Sequence, residues 1–107
     1  MATYLIAREI TITRQSGDVA DIAVRVPDLL PMEGRTARFQ VFDSSGRLLI
    51  DKDETILREG QVITIPLLPQ DTQGLSGRFQ WELEVRDGSG PVTIGRGPFV
   101  VVKTLIR

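Results

Sequence analysis

The sequence predicts an all-β fold, a single antiparallel β-sandwich of immunoglobulin-like character with seven to eight strands. Three observations carry that expectation. Apolar residues recur with period two, no stretch sustains a helical period, and turn-forming residues punctuate the chain at roughly ten-residue intervals. The 107 residues suit one domain, so residues 1–107 are expected to form a single unit around one core.

Taken in order, Ile10 and Ile12 alternate with Thr11 and Thr13 in a first strand, and Gln15-Ser16-Gly17-Asp18 reads as a turn. Ile22, Val24 and Val26 then share one face against Asp21, Ala23 and Arg25, the mark of a half-buried antiparallel strand, and Pro27 closes it. Residues 27–35 hold two prolines and a glycine and read as a connection. Ala37, Phe39 and Val41 are expected inward, with Arg38 and Gln40 outward. Asp43-Ser44-Ser45-Gly46 should turn this strand into a short partner over 48–50, because Asp and Ser bond their own backbone and Gly accepts positive φ. Asp51-Lys52-Asp53-Glu54 is expected to be a solvated strand end or edge that discourages pairing with other sheets. Ile63, Ile65 and Leu67 alternate with Val62 and Thr64, and Pro66 and Pro69 mark a sheet margin.

The longest alternation spans 78–87. Phe79, Trp81, Leu83 and Val85 line one face, and Arg78, Gln80, Glu82, Glu84 and Arg86 line the other, with Trp81 as the core anchor. Asp87-Gly88-Ser89-Gly90 turns the chain into Val92-Thr93-Ile94, Gly95-Arg96-Gly97 is expected to introduce a bulge, and 99–106 forms the last strand. Phe39, Val41, Ile63, Ile65, Phe79, Trp81 and Leu83 should be buried together.

The composition argues against catalysis and against a bound cofactor or metal. With no histidine the chain lacks the usual general base and the commonest metal ligand, and with no cysteine it lacks thiolate sites and disulfides. Serines 16, 44, 45, 76 and 89 sit in turn-like contexts with no histidine to activate them. Glu82 and Glu84 form a carboxylate pair of the kind that hydrolyses glycosides, but beside Arg78 and Arg86 they read better as a cross-strand charge pattern. The three carboxylates of residues 51–54 lack the ligand spacing and glycine of a calcium loop. Glycines 88, 90, 95 and 97 miss the dinucleotide spacing and precede a strand where a helix would be required.

Thirteen basic and fourteen acidic residues are interspersed for a net charge of −1, so no nucleic-acid partner is expected. Phe42 points outward by parity beside a basic strand face, a faint likeness to an oligonucleotide-binding barrel that the neutral charge outweighs. No apolar run approaches a membrane span, and the N-terminal residues lack the basic start of a secretory leader, so neither membrane nor export is expected. Arginine outnumbers lysine eleven to two, a bias that suits planar protein contacts and that coding-DNA base composition also produces.

One segment asks for a partner. In the last strand Phe99, Val101 and Leu105 share one parity while Val100, Val102 and Ile106 share the other, so both faces are apolar. A terminal strand is expected at a sheet edge, open to pairing. Val100, Val102 and Ile106, with Tyr4, Leu5 and Ile6 of the N-terminal segment, are therefore the candidate subunit interface.

Arg8-Glu9-Ile10-Thr11-Ile12-Thr13, Ala37-Arg38-Phe39-Gln40-Val41 with Asp43-Ser44-Ser45-Gly46, and Ile63-Thr64-Ile65-Pro66-Leu67 follow one another as in small β-sandwich modules of tailed-bacteriophage virions. So do residues 77–87 and the closing Gly97-Pro98-Phe99-Val100-Val101. The chain resembles these modules over most of residues 8–103 and is especially similar to the N-terminal domain of upper-baseplate and tail-fibre adaptor proteins. The resemblance implies a non-enzymatic structural protein of the virion, made in the host cytoplasm, at a baseplate, tail-fibre, neck or head-fibre or decoration station. It also implies that the partners are other virion proteins and further copies of the chain in a symmetric homo-oligomer. A cellular immunoglobulin-like module that reads protein or carbohydrate is the alternative, with a small hydrolase as a third reading.

Overall fold

Alternating apolar residues, separated by turns rich in glycine, serine and aspartate, fold into nine short strands and one helical turn among the described residues. These elements come from a computed structural model, which describes residues 8–9, 11–19, 21–26, 34–53, 55–87 and 90–103. The strands are β1 (Arg8–Glu9), β2 (Ile12–Gln15), β3 (Ile22–Arg25), β4 (Thr36–Phe42), β5 (Leu48–Lys52), β6 (Leu57–Glu59), β7 (Val62–Ile65), β8 (Gly77–Asp87) and β9 (Gly90–Val102). The helical turn, α1, is Pro69–Thr72.

One sheet has the order β1-β9-β8-β4-β5, with β2 continuing the β1 side along β9, and the other has the order β3-β7-β6. The chain crosses between the layers at β2–β3, β3–β4, β5–β6 and β7–β8. This is the strand order of an immunoglobulin sandwich of variable type, with β3-β7-β6 as strands B, E and D and β9-β8-β4-β5 as G, F, C and C′. The pairing is antiparallel except at β1 and β2, which run parallel to β9.

The larger sheet buries Phe39, Val41, Trp81, Leu83, Val85, Phe99 and Val101 against Ile22, Ile63 and Ile65 of the smaller one. Phe39 stacks on Trp81 with ring centroids 5.9 Å apart, and Phe99 tilts against Phe39 at 6.3 Å. In the disulfide-bonded version of this fold a tryptophan on strand C packs against a bridge between strands B and F. Here strand C carries Phe39, strand F carries Trp81, and an aromatic stack occupies the sandwich centre without sulfur. Phe79 departs from the expected core set in degree, being half-buried and packed against the cluster from its margin.

The structure corrects the expected position of β9. It lies inside its sheet, because β1 and β2 pair along one side of it as β8 does along the other, and Ser16 N–H extends the contact to the Val102 carbonyl at 2.8 Å. The bulge also moves by a step. Leu83 faces Gly95 while Glu84 faces Thr93, so Ile94 is the extra residue, and β9 runs unbroken through the positions where two segments were expected. Gly97, with φ of 151°, adopts an extended geometry that a side chain disfavours, directly opposite Trp81.

Helix α1 was not expected. Pro69 suits the first helical position, and the Asp71 carboxylate accepts from Leu68 N–H at 2.7 Å, closing the turn. Asp71 also pairs with Lys52 Nζ at 2.8 Å, which ties α1 to β5. Buried Thr72 holds the β2–β3 turn: its hydroxyl accepts from Gly17 N–H at 2.9 Å, and its carbonyl accepts from Ser16 Oγ at 3.0 Å. The β4–β5 turn forms as its sequence implies. Asp43 Oδ1 accepts from Ser45 N–H (2.9 Å), Ser45 Oγ (2.6 Å) and Arg47 N–H (2.9 Å), while Gly46 takes φ of 85°. Those donors, the Ser45 hydroxyl foremost, hold the Asp43 carboxyl below the usual carboxylate range.

Candidate interaction face

Because β4 and β8 alternate strictly, every second side chain leaves the core for the outer face of the larger sheet. Strand register arranges these side chains in rungs. Asp51, Gln40, Glu82 and Arg96 form one rung; Arg38, Glu84 and Thr93 form the next; Thr36, Arg86 and Pro91 end that side. In the other direction Leu48, Phe42, Gln80 and Pro98 form a largely apolar rung, followed by Arg78, Val100 and Thr13, then Val102 and Gln15.

The two halves of the face differ in chemistry. At the polar end Arg38 grips Asp51 through a two-point fork, Nε at 2.9 Å and Nη2 at 2.7 Å, and Arg86 Nε bonds Glu84 at 2.8 Å. The hydrogen bond from Arg38 holds the Asp51 carboxyl below its ordinary range against the opposing effect of burial, and the charges of Arg38 and Arg86 add to it. Asp51 in turn raises the affinity of the Arg38 guanidinium for its proton. Arg38, Arg86, Asp53, Thr36 and Ala37 surround a shallow depression of about 220 Å³. At the other end Leu48 is 42% and Val102 46% exposed, and Phe42 and Val100 are half-buried.

Of the residues singled out as an interface, Val100 and Val102 thus lie on this outer face, while Tyr4, Leu5, Ile6 and Ile106 lie outside the described residues. The edge-strand reason for choosing them does not hold, since β9 is flanked on both sides. The parity reason does: Phe99 and Val101 enter the core and their neighbours leave it. Sequence reasoning passed over Leu48, which register places in the apolar rung with Gln80, because a half-alternating strand of five residues announces neither its register nor its partner.

Other candidate chemistry is dispersed. Glu84 of the carboxylate pair is held by Arg86, Asp51 by Arg38, and Lys52 by Asp71. Among the described residues no three carboxylates come together as a metal site. A groove of about 520 Å³ at one end of the sandwich, between the Ser16-Gly17 turn, Gln73 to Ser76 and Lys103, carries one charged side chain and no carboxylate. No described helix is long and apolar enough to cross a membrane.

No protein-family model matches the sequence, and no curated protein matches it either. Solved structures match in shape. CopC from Methylosinus trichosporium OB3b aligns with a TM-score of 0.52 over 87% of this chain and 84% of its own, at 15% identity. The extracellular domain of the voltage-gated sodium channel beta4 subunit aligns with a TM-score of 0.51 over 98% of this chain and all of its own, at 17% identity. The chain is an immunoglobulin-like β-sandwich. At such identities the likeness concerns the fold alone, and function has to be argued from the outer face.

Proposed function

We propose that the chain is a non-enzymatic protein–protein interaction module that acts through the outer face of the larger sheet. The observation that carries this reading is the face itself, a broad strip on rigid strands that joins exposed apolar side chains to arginine and glutamate. Arginine and aromatic or aliphatic anchors within a polar surround are the usual ingredients of protein interfaces. At the finer level the module is a structural component of a tailed-phage virion, a reading supported by the resemblance of its strand sequences to baseplate and fibre-adaptor domains. A second reading, a cellular binding module, is favoured by the likeness to the sodium channel beta4 domain, whose parallel homodimers have been used to explain cell–cell adhesion.

Antibody labelling of purified particles and of intact cells from the source organism separates the two. Label on particles at symmetric positions, lost with Val100→Lys and Val102→Lys, is the expected result. Label on cells alone selects the second reading, and a hydrolytic activity that follows Glu82 or Glu84 would overturn the class.

A further inference from the structure

Among the described charges of the outer face, the side chains of Arg78, Glu82 and Arg96 are exposed and make no hydrogen bond or ion pair, whereas Arg38 is engaged with Asp51 and Arg86 with Glu84. Arg78 and Glu82 lie on the same side of β8, each one outward position from Gln80. Gln80 sits in the apolar rung with Leu48, Phe42 and Pro98.

Two-fold geometry converts this spacing into a contact. When two sheets meet face to face with their strands aligned, the symmetry axis lies between them and runs either along the strands or across them. An axis along β8 would set Arg78 over Arg78 and Glu82 over Glu82 of the second copy, like charge on like. An axis across the strands at Gln80 makes the two β8 strands antiparallel and sets Arg78 over the second copy's Glu82, and Glu82 over its Arg78. It also lays the apolar rungs on one another, Phe42 on Phe42 and Leu48 on Leu48, and brings the stem of Arg96 over Val100, an apolar cover for a half-buried valine. Moving the axis to Glu82 would oppose Arg78 with Arg86, so the register at Gln80 is the one that pairs both free charges of the strand.

We propose that a second copy of this chain is the partner of this face, packed with β8 antiparallel to β8 about a two-fold axis at Gln80. This rests on the reading of the chain as an interaction module and names its partner. About the axis at Gln80 the two β8 strands overlap over residues 77–83, which at about 3.3 Å each run roughly 23 Å, and five strands at about 4.8 Å spacing run roughly 20 Å across. Such a footprint falls below the ~800 Å² per partner of an ordinary specific interface, so the expected association is weak and concentration-dependent.

The test is a charge swap read by sedimentation equilibrium of the purified full chain over a concentration series. Arg78→Glu and Glu82→Arg each create two like-charge contacts across the axis, so each alone is expected to weaken self-association at least tenfold. The double variant restores both pairs in reverse and is expected to return to within about threefold of the unaltered protein. Arg58→Glu on β6 of the other sheet should change nothing, and circular dichroism melts confirm that all variants fold. An unaltered protein that stays monomeric at millimolar concentration overturns the proposal, as do single variants without effect or a double variant without recovery. A monomer that nonetheless labels particles or cells refutes self-pairing while the interaction reading stands, so the two failures are distinguishable.

Discussion

Replacing Trp81 with alanine removes the largest member of the central aromatic stack. The side chain is 4% exposed and lies 5.9 Å from Phe39, so its loss leaves a void between the layers and strips Phe39 of its stacking neighbour. A buried aromatic of this size removes roughly 150–250 Å² from water, or about 4–6 kcal/mol at 25 cal/mol per Å² as an upper bound. Measured truncations of this type cost about 3–5 kcal/mol. For a domain of this length each kcal/mol shifts the melting midpoint by roughly 4–8 °C, so a fall of more than about 12 °C is expected. Trp81 is the only tryptophan, so its own fluorescence cannot report the variant; far-ultraviolet circular dichroism with urea and with heat does. Trp81→Phe, which keeps a ring against Phe39, should lose less than half as much. A midpoint within about 2 °C of the unaltered protein for Trp81→Ala would refute the assignment of this stack as the sandwich centre.

Thr72→Val keeps the shape of a buried residue but leaves Gly17 N–H without its acceptor. It should cost roughly 1–2 kcal/mol in urea unfolding, the lower part of the usual range because Gly17 is only half-buried. The Asp51 carboxyl titrates lower in the folded chain than in the unfolded one, so its stabilising effect is present above its ordinary pKa of 3.8 and is lost as pH falls through the depressed folded value. The melting difference between the unaltered chain and Asp51→Asn should therefore be largest near neutrality and shrink below about pH 4; a difference that grows on acidification contradicts the ion-pair assignment. Val100→Lys with Val102→Lys, both on the outer face, should abolish association while the melting midpoint moves by only a few degrees, and normal association of that variant would remove the apolar end from the interface.

The sequence disclosed faces better than neighbours. In β8 every inward residue from Trp81 to Val85 could be named from alternation, because burial on one side of a strand leaves a period of two in the chain itself. Where a strand lies in its sheet leaves no such trace. The apolar faces of β9 were legible, but its position between β8 and the parallel β1 and β2 depends on residues some ninety positions away. Helix α1 spans four residues, too few for a helical period, and the prolines at and before its start, Pro69 and Pro66, serve a sheet margin equally well. The candidate face divides the same way. Arg78, Glu82, Glu84 and Arg86 were recognised as outward, yet alternation does not say which of them engage: Arg86 turns along its own strand to Glu84, while Arg38 of β4 pairs with Asp51 of β5.

The central claim, that this chain works through the outer face of its larger sheet, is tested most directly by backbone nuclear magnetic resonance of the labelled protein across a range of concentrations. Resonances of Phe42, Arg78, Gln80, Glu82 and Val100 are expected to shift together as concentration rises, while those of β3, β7 and β6 stay fixed. Shifts confined to the β3-β7-β6 sheet would contradict it, whereas no shift at any concentration would refute self-pairing alone.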